Sequence, residues 1–169
     1  SRIIDNETLK KIVDISNSEN LTILSDETYL DISYNPSRKI FDFDGEHIMV
    51  NSFSKTFAMT GWRIGYAILN EELKENLTRL NQITITNIPT FIQEAAIKAL
   101  ELKEEISKKL REIYCQRTNL ACKILSNSKL KFSRPDAPFY IFPRLEGCDS
   151  EKLSLELIDK GVAVAPGTS

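Results

Sequence analysis

Cysteine is scarce and scattered: Cys115, Cys122 and Cys148 are the only three in 169 residues. An odd, unclustered set supports neither a disulfide framework nor a metal site. Cys115 and Cys122 lie seven apart in a stretch of helical periodicity, and one packed face of reduced thiols explains the spacing. The single histidine, His47, has no partner motif and receives no role. No uninterrupted apolar segment approaches membrane-spanning length. The opening Ser1-Arg2-Ile3-Ile4-Asp5 lacks the profile of a signal peptide, so a cytoplasmic location is expected. Excess charge is also missing: the net charge is -2 with acids and bases interspersed, which leaves no electrostatic footprint for nucleic acid or an anionic membrane. What remains, 41% hydrophobic and 27% charged, is the make-up of a globular chain with one sizeable core or two small ones.

Against that background one run stands out, Ser52-Phe53-Ser54-Lys55-Thr56-Phe57-Ala58-Met59-Thr60-Gly61-Trp62-Arg63-Ile64-Gly65-Tyr66. It places one amine eight residues before one guanidinium across a glycine-containing turn. The preceding Ile48-Met49-Val50 reads as a buried strand, so Ser52 to Lys55 fall where that strand leaves its sheet. In open α/β sheets ligands bind at that edge. A lysine there can form a Schiff base with an aldehyde, and a nearby arginine can grip a phosphate through two parallel hydrogen bonds. Upstream, Leu21-Thr22-Ile23-Leu24-Ser25 is a second strand-like run. It ends in Asp26-Glu27-Thr28-Tyr29, which sets a carboxylate and a phenol near one strand end.

The wording Ser-x-Ser-Lys-Thr-Phe-x-Met-Thr-Gly-Trp-Arg-x-Gly-Tyr closely resembles the active-site segment of the class I/II aminotransferases, the aspartate aminotransferase family of fold type I pyridoxal-phosphate enzymes. The resemblance implies pyridoxal phosphate as cofactor, with Lys55 as its covalent attachment and proton carrier. It gives Asp26 to the ring nitrogen, Tyr29 to the ring oxygen, and Arg63 with Ser52 to the phosphate; Ser54 is a weaker phosphate candidate. A carboxylate on the ring nitrogen keeps the ring protonated and electron-withdrawing. A lysine of ordinary pKa, about 10.4, costs about 4.6 kcal/mol to hold neutral at pH 7, at about 1.36 kcal/mol per unit. Such a site must lower that cost by desolvation and neighbouring positive charge.

Element signals alternate in α/β fashion. Asp5 caps a helix with Leu9, Ile12 and Val13 at helical spacing and Glu7 in its first turn. Tyr34-Asn35-Pro36-Ser37 and Asp42-Phe43-Asp44-Gly45 read as turns, Arg63 to Leu69 as a strand, and Asn70 as the cap of a helix carrying Leu73, Leu77 and Leu80. From Pro89 to about Ser126 apolar residues recur over a span long for a helix, which predicts one long connecting helix that Asn127 could end. Leu130-Lys131-Phe132, Phe139-Tyr140-Ile141-Phe142 and Val162-Ala163-Val164 are strand candidates around a helix from about Asp149 to Lys160, a second small α/β unit.

The fold implied is therefore α/β: part of the mixed-sheet large domain of a fold type I enzyme over residues 1–88, a long connecting helix over 89–126, and an incomplete small domain over 127–169. By the same resemblance both ends are expected to be cut. An Asn-Pro-Thr-Gly-like turn and a glycine-rich phosphate loop are expected before Ser1, and an arginine for the substrate carboxylate after the Gly161 to Gly167 segment. The activity implied is amino-group exchange between an amino acid, aspartate by default, and a 2-oxo acid, in a homodimer, with the isolated 169-residue piece inactive.

Other readings compete residue by residue. An isolated lysine after a strand is ordinarily solvated surface, and Asp26 alone could be a turn residue or helix cap. Trp62 and Tyr66 read as packing residues, with cofactor contact as the alternative. Ser52-Phe53-Ser54-Lys55 also fits the Ser-x-x-Lys pattern of penicillin-recognising acyl-transfer enzymes, but their companion Ser-Asp-Asn and Lys-Thr-Gly elements are absent. A lyase or decarboxylase on the same cofactor, or a non-enzymatic aminotransferase-like regulatory module, remains open, since fold does not fix function.

Overall fold

Asp5 begins the first helix as its sequence predicts. Its Oδ1 accepts the Thr8 N–H at 2.8 Å, and α1 runs Asn6–Ser18. The computed structural model describes residues 2–35 and 37–168. The turn expected over Tyr34 to Ser37 therefore lies in part, at Pro36, outside the described residues.

Three strands form one mixed sheet in the order β1-β2-β3. β1 (Ile23–Asp26) runs parallel to β2 (His47–Ser52), from Ile23 opposite His47 to Asp26 opposite Val50. β3 (Gly65–Ile68) runs antiparallel to β2, with Ser52 opposite Gly65. Along β2 the residues His47, Met49 and Asn51 are buried and alternate with half-buried neighbours, as the period of two requires. Met49 joins Val13 of α1 and Ile40 in one apolar cluster. Each such side chain contributes about 1.5–3 kcal/mol on burial. A Cβ at Gly65 would meet the Asn51 carbonyl oxygen at 2.8 Å, so only glycine lets β3 approach β2 at this point.

After β2 the chain turns into a short helix, α2 (Phe53–Thr56), capped by Ser52, whose Oγ accepts the Ser54 N–H at 3.1 Å. Phe53 of α2 packs with Ile64, Ala96 and Ala99 in a second cluster, which seats the lysine segment on the helical layer. The predicted strand from Arg63 starts two residues late, because Arg63 adopts a left-handed conformation (φ 54°, ψ 47°). Tyr66 packs edge-on against Phe53 at 5.7 Å, as a packing residue should. Trp62 does not: it is 42% exposed. α3 (Glu71–Thr84) follows its Asn70 cap, yet buries no residue and leaves Leu77, Leu80 and Ile83 exposed.

The expected single long helix is two helices, α4 (Thr90–Glu101) and α5 (Lys103–Leu125). They break at Leu102, whose N–H is shared between the Lys98 and Ala99 carbonyls. Glu104 and Glu105 then favour a new helix start, and Lys103 is drawn to Asp31 at 2.8 Å. The expected sheet of the last third is also corrected. Among the described residues beyond 126 only Lys131 and Arg144 pair, as an isolated antiparallel bridge. Phe139 leaves the extended region at φ 81°, and the Val162 N–H bonds the Leu157 carbonyl to close α6 (Ser150–Ile158), so neither segment can extend a ladder.

Candidate functional site

Because β1 and β2 are parallel, their carboxyl ends, Asp26 and Ser52, lie at the same sheet edge. β3 is antiparallel, so its beginning lies there too and places Arg63, two residues before Gly65, on that edge. The sheet therefore gathers Asp26, Ser52, Ser54, Lys55 and Arg63 along one rim.

Two chains of contact start from this rim. Arg63 Nη1 donates to the Thr60 carbonyl at 2.9 Å, and Thr60 Oγ1 donates to the Ser54 carbonyl at 3.2 Å, which ties the guanidinium to the residue before the lysine. On the other side, the half-buried Lys55 sets its Nζ 5.4 Å from the centroid of the Phe139 ring. That ring lies 6.1 Å from the ring of Tyr29 and 4.5 Å from that of Tyr114. Tyr29 in turn donates its phenol proton to the Tyr140 hydroxyl at 3.5 Å. Burial, then this hydrogen bond, then the charges of Tyr140 and Asp26 push the Tyr29 phenol up to about 12.

Asp26 is exposed and its Oδ1 accepts the Thr28 N–H at 3.0 Å and the Thr28 hydroxyl at 2.6 Å, the turn role that its sequence also allowed. Oδ2 takes no part in those bonds. Directly behind it Glu27 is buried, its Oε1 accepting the Ile40 N–H at 2.8 Å while Oε2 has no partner among the described residues. Burial raises the Glu27 carboxyl against the opposing pull of the Ile40 N–H and Lys39.

Among the described residues no carboxylate lies within ion-pair distance of Lys55 or Arg63. The donor set thus offers two uncompensated cations and serine hydroxyls to an anion, beside a carboxylate and a phenol. It matches what pyridoxal phosphate presents: a dianionic phosphate, an aldehyde, a ring nitrogen and a ring oxygen. Thr60, Phe139 and Tyr140 were not singled out from the sequence. Phe139 and Tyr140 looked like strand residues, and no local pattern could announce contacts 84 and 111 residues away in the chain. A cavity of about 200 Å³ shares Tyr140 with this cluster and is otherwise lined by Arg2, Ser133, Arg134, Pro135 and Phe142. None of the residues marked out by sequence lines it. No group of metal-ligating side chains occurs among the described residues, and no helix there is long and apolar enough to cross a membrane.

The family model for aminotransferase class I and II matches residues 2–169. The aspartate aminotransferase of Thermococcus kodakarensis is 34% identical over 98% of this chain, and aromatic-amino-acid aminotransferase 2 of Thermococcus litoralis is 37% identical over 99%. The chain spans 45% and 46% of those two relatives. The crystal structure of aspartate aminotransferase from Thermotoga maritima superposes with a TM-score of 0.90 at 31% identity, covering 99% of this chain and 45% of that one. The chain belongs to the class I and II aminotransferases, a family of pyridoxal-phosphate-dependent enzymes.

Proposed function

We propose that the protein is a pyridoxal-phosphate-dependent aminotransferase that moves an amino group from an amino acid to a 2-oxo acid, with Lys55 as its catalytic residue. The observation that carries the reading is the presence of Lys55 and Arg63 on one sheet edge without a carboxylate partner among the described residues. Pyridoxal phosphate, when bound, supplies an aldehyde carbon to receive the amino group and a ring to withdraw electrons.

The chain's own residues do the rest. Arg63 and Ser52 would bind the phosphate, with Ser54 beside them. The Asp26 carboxylate would hold the protonated ring nitrogen, and Tyr29 would hold the ring oxygen. Lys55 Nζ would hold the cofactor covalently and, as a free amine, would carry a proton between the substrate α-carbon and the cofactor side. Aspartate is the favoured donor, on the names of the relatives from T. kodakarensis and T. maritima; the T. litoralis relative supports an aromatic amino acid as the second reading. The working form is a cytoplasmic homodimer, in which residues 1–88 belong to the cofactor-binding domain, 89–126 connect, and 127–169 belong to a small domain.

The test is chemical. The protein is loaded with pyridoxal phosphate, reduced with borohydride and mapped by peptide mass. The label is expected on the Lys55 peptide and is lost in Lys55→Ala; label on another lysine, or none, overturns the reading.

A further inference from the structure

Between Asp26 and Tyr29 the chain buries a carboxyl group that the proposed chemistry does not use. Glu27 is 5% exposed, and strand alternation sends its side chain to the face opposite Asp26. Its N–H extends the ladder to the Val50 carbonyl at 2.9 Å, its carbonyl accepts the Leu30 N–H at 3.0 Å, and its Oε1 holds the Ile40 N–H at 2.8 Å. Two residues past Tyr29 stands a second anchor. The Asp31 side chain is only 11% exposed, and its carboxylate pairs with Lys39 at 3.3 Å and with Lys103 of α5 at 2.8 Å. The Asp31 carbonyl accepts a hydrogen bond from Arg111, also of α5, at 3.3 Å.

Buried ionic clusters are poor sources of stability, since desolvation offsets most of the attraction. Apolar side chains would fill the same space at less cost. What the cluster does supply is geometry: it fixes the segment between its two anchors against β2, the turn at Ile40 and α5 at once.

We infer that Glu27 and Asp31 are positioning residues, which hold Asp26 and Tyr29 at the height where they meet the ring of the cofactor. The inference rests on the proposed aminotransferase reading and adds to it two residues that touch neither cofactor nor substrate. Ring and phosphate are gripped by different parts of the fold, so the two can be separated. Losing either anchor misplaces the ring contacts on the β1 side and leaves the phosphate contacts at Ser52 and Arg63 intact.

The experiment compares Glu27→Met, Glu27→Gln and Asp31→Asn with the unmodified protein. It reads the affinity for pyridoxal phosphate by absorbance titration and the affinity for inorganic phosphate by its competition with that uptake. Glu27→Met and Asp31→Asn should bind pyridoxal phosphate about tenfold more weakly, which corresponds to about 1.4 kcal/mol, with phosphate affinity unchanged within about twofold. Glu27→Gln keeps an acceptor for the Ile40 N–H and should restore the affinity. Unchanged pyridoxal phosphate binding in folded variants overturns the inference. So does an equal loss of both ligands, or a Gln variant as poor as Met. If Glu27→Met does not fold, Asp31→Asn and Lys103→Met decide by the same readout. Failure of the parent reading is distinct: the unmodified protein then takes no borohydride label at Lys55.

Discussion

Lys55 and Phe139, 84 residues apart, meet with the amine nitrogen over the ring, 5.4 Å from its centroid. The ring reaches this position because its own backbone is left-handed, at φ 81°, a conformation that costs a non-glycine residue of order 1–3 kcal/mol. Ala137 and Pro138, both buried, anchor the segment just before it.

That conformation leads to an unusual order of stabilities. Phe139→Ala removes the ring that faces Lys55, Tyr29 and Tyr114 and keeps the backbone strain. Phe139→Gly removes the ring and relieves the strain. Phe139 is 39% exposed, so loss of its ring should cost less than the 3–5 kcal/mol of a fully buried phenylalanine, about 2 kcal/mol. The glycine variant should nevertheless be more stable than the alanine variant, by about 1 kcal/mol. Urea unfolding of the two checks the order; alanine above glycine would mean that the left-handed turn is not kept in solution.

Tyr29 gives a prediction in pH. Its folded phenol is raised to about 12, by burial first and by the hydrogen bond to Tyr140 second. A raised acid holds its proton more tightly in the folded state. The associated stability is therefore fully present below the ordinary tyrosine value of about 10 and is lost as pH rises through about 12. Tyr140→Phe removes the hydrogen bond and the Tyr140 charge and leaves burial and the Asp26 charge. Ultraviolet titration near 295 nm should show the Tyr29 transition moving down toward, but not reaching, the ordinary value. A transition that does not move would assign the shift to burial and the Asp26 charge, with no part for Tyr140.

Glu27 works in the same sense at lower pH. Burial raises its carboxyl above the ordinary value of 4.5, so its contribution is fully present below that value and is lost as pH rises through the raised one. Glu27→Gln cannot ionise and still accepts the Ile40 N–H. Denaturant unfolding from pH 4 to pH 7 should show the variant gaining on the parent as pH rises, with the parent at least as stable at the acid end. A difference that stays constant with pH would mean that Glu27 titrates normally.

Much of this was legible in the chain because the deciding interactions are local. The caps at Asp5 and Asn70 each act on an N–H three residues on, and the three strands carry period-two or continuous apolar runs. The sequence places Asp26, Ser52 and Lys55 at strand ends, and the strand directions in the structure bring them with Arg63 to one rim. The rest depends on distant partners. The break at Leu102 reflects the attraction of Lys103 to Asp31, 72 residues away, while helical periodicity continues through it. The strand-like wording of Phe139 to Phe142 is overridden by the packing of Phe139 between Lys55, Tyr29 and Tyr114. Exposed Leu77, Leu80 and Ile83 on α3 have the spacing of a core face but bury nothing among the described residues.

Arg63 supplies the last prediction, and it separates charge from shape. The side chain spends one N–H on the Thr60 carbonyl at 2.9 Å, which leaves the remainder of the planar fork for two parallel bonds to a phosphate. Lysine keeps the charge but offers a point donor on a flexible stem, so Arg63→Lys loses both the Thr60 brace and the paired geometry. Losing one charge-assisted hydrogen bond costs about 1.5–3 kcal/mol, which predicts a weakening of pyridoxal phosphate binding by about 10- to 150-fold. Inorganic phosphate should weaken in parallel, because the role proposed for this residue is to grip the anion and not the ring. The Lys55 label should still form at saturating cofactor. If Arg63→Lys binds both ligands as the parent does, the guanidinium is not the phosphate clamp, and that role falls to the hydroxyls of Ser52 and Ser54.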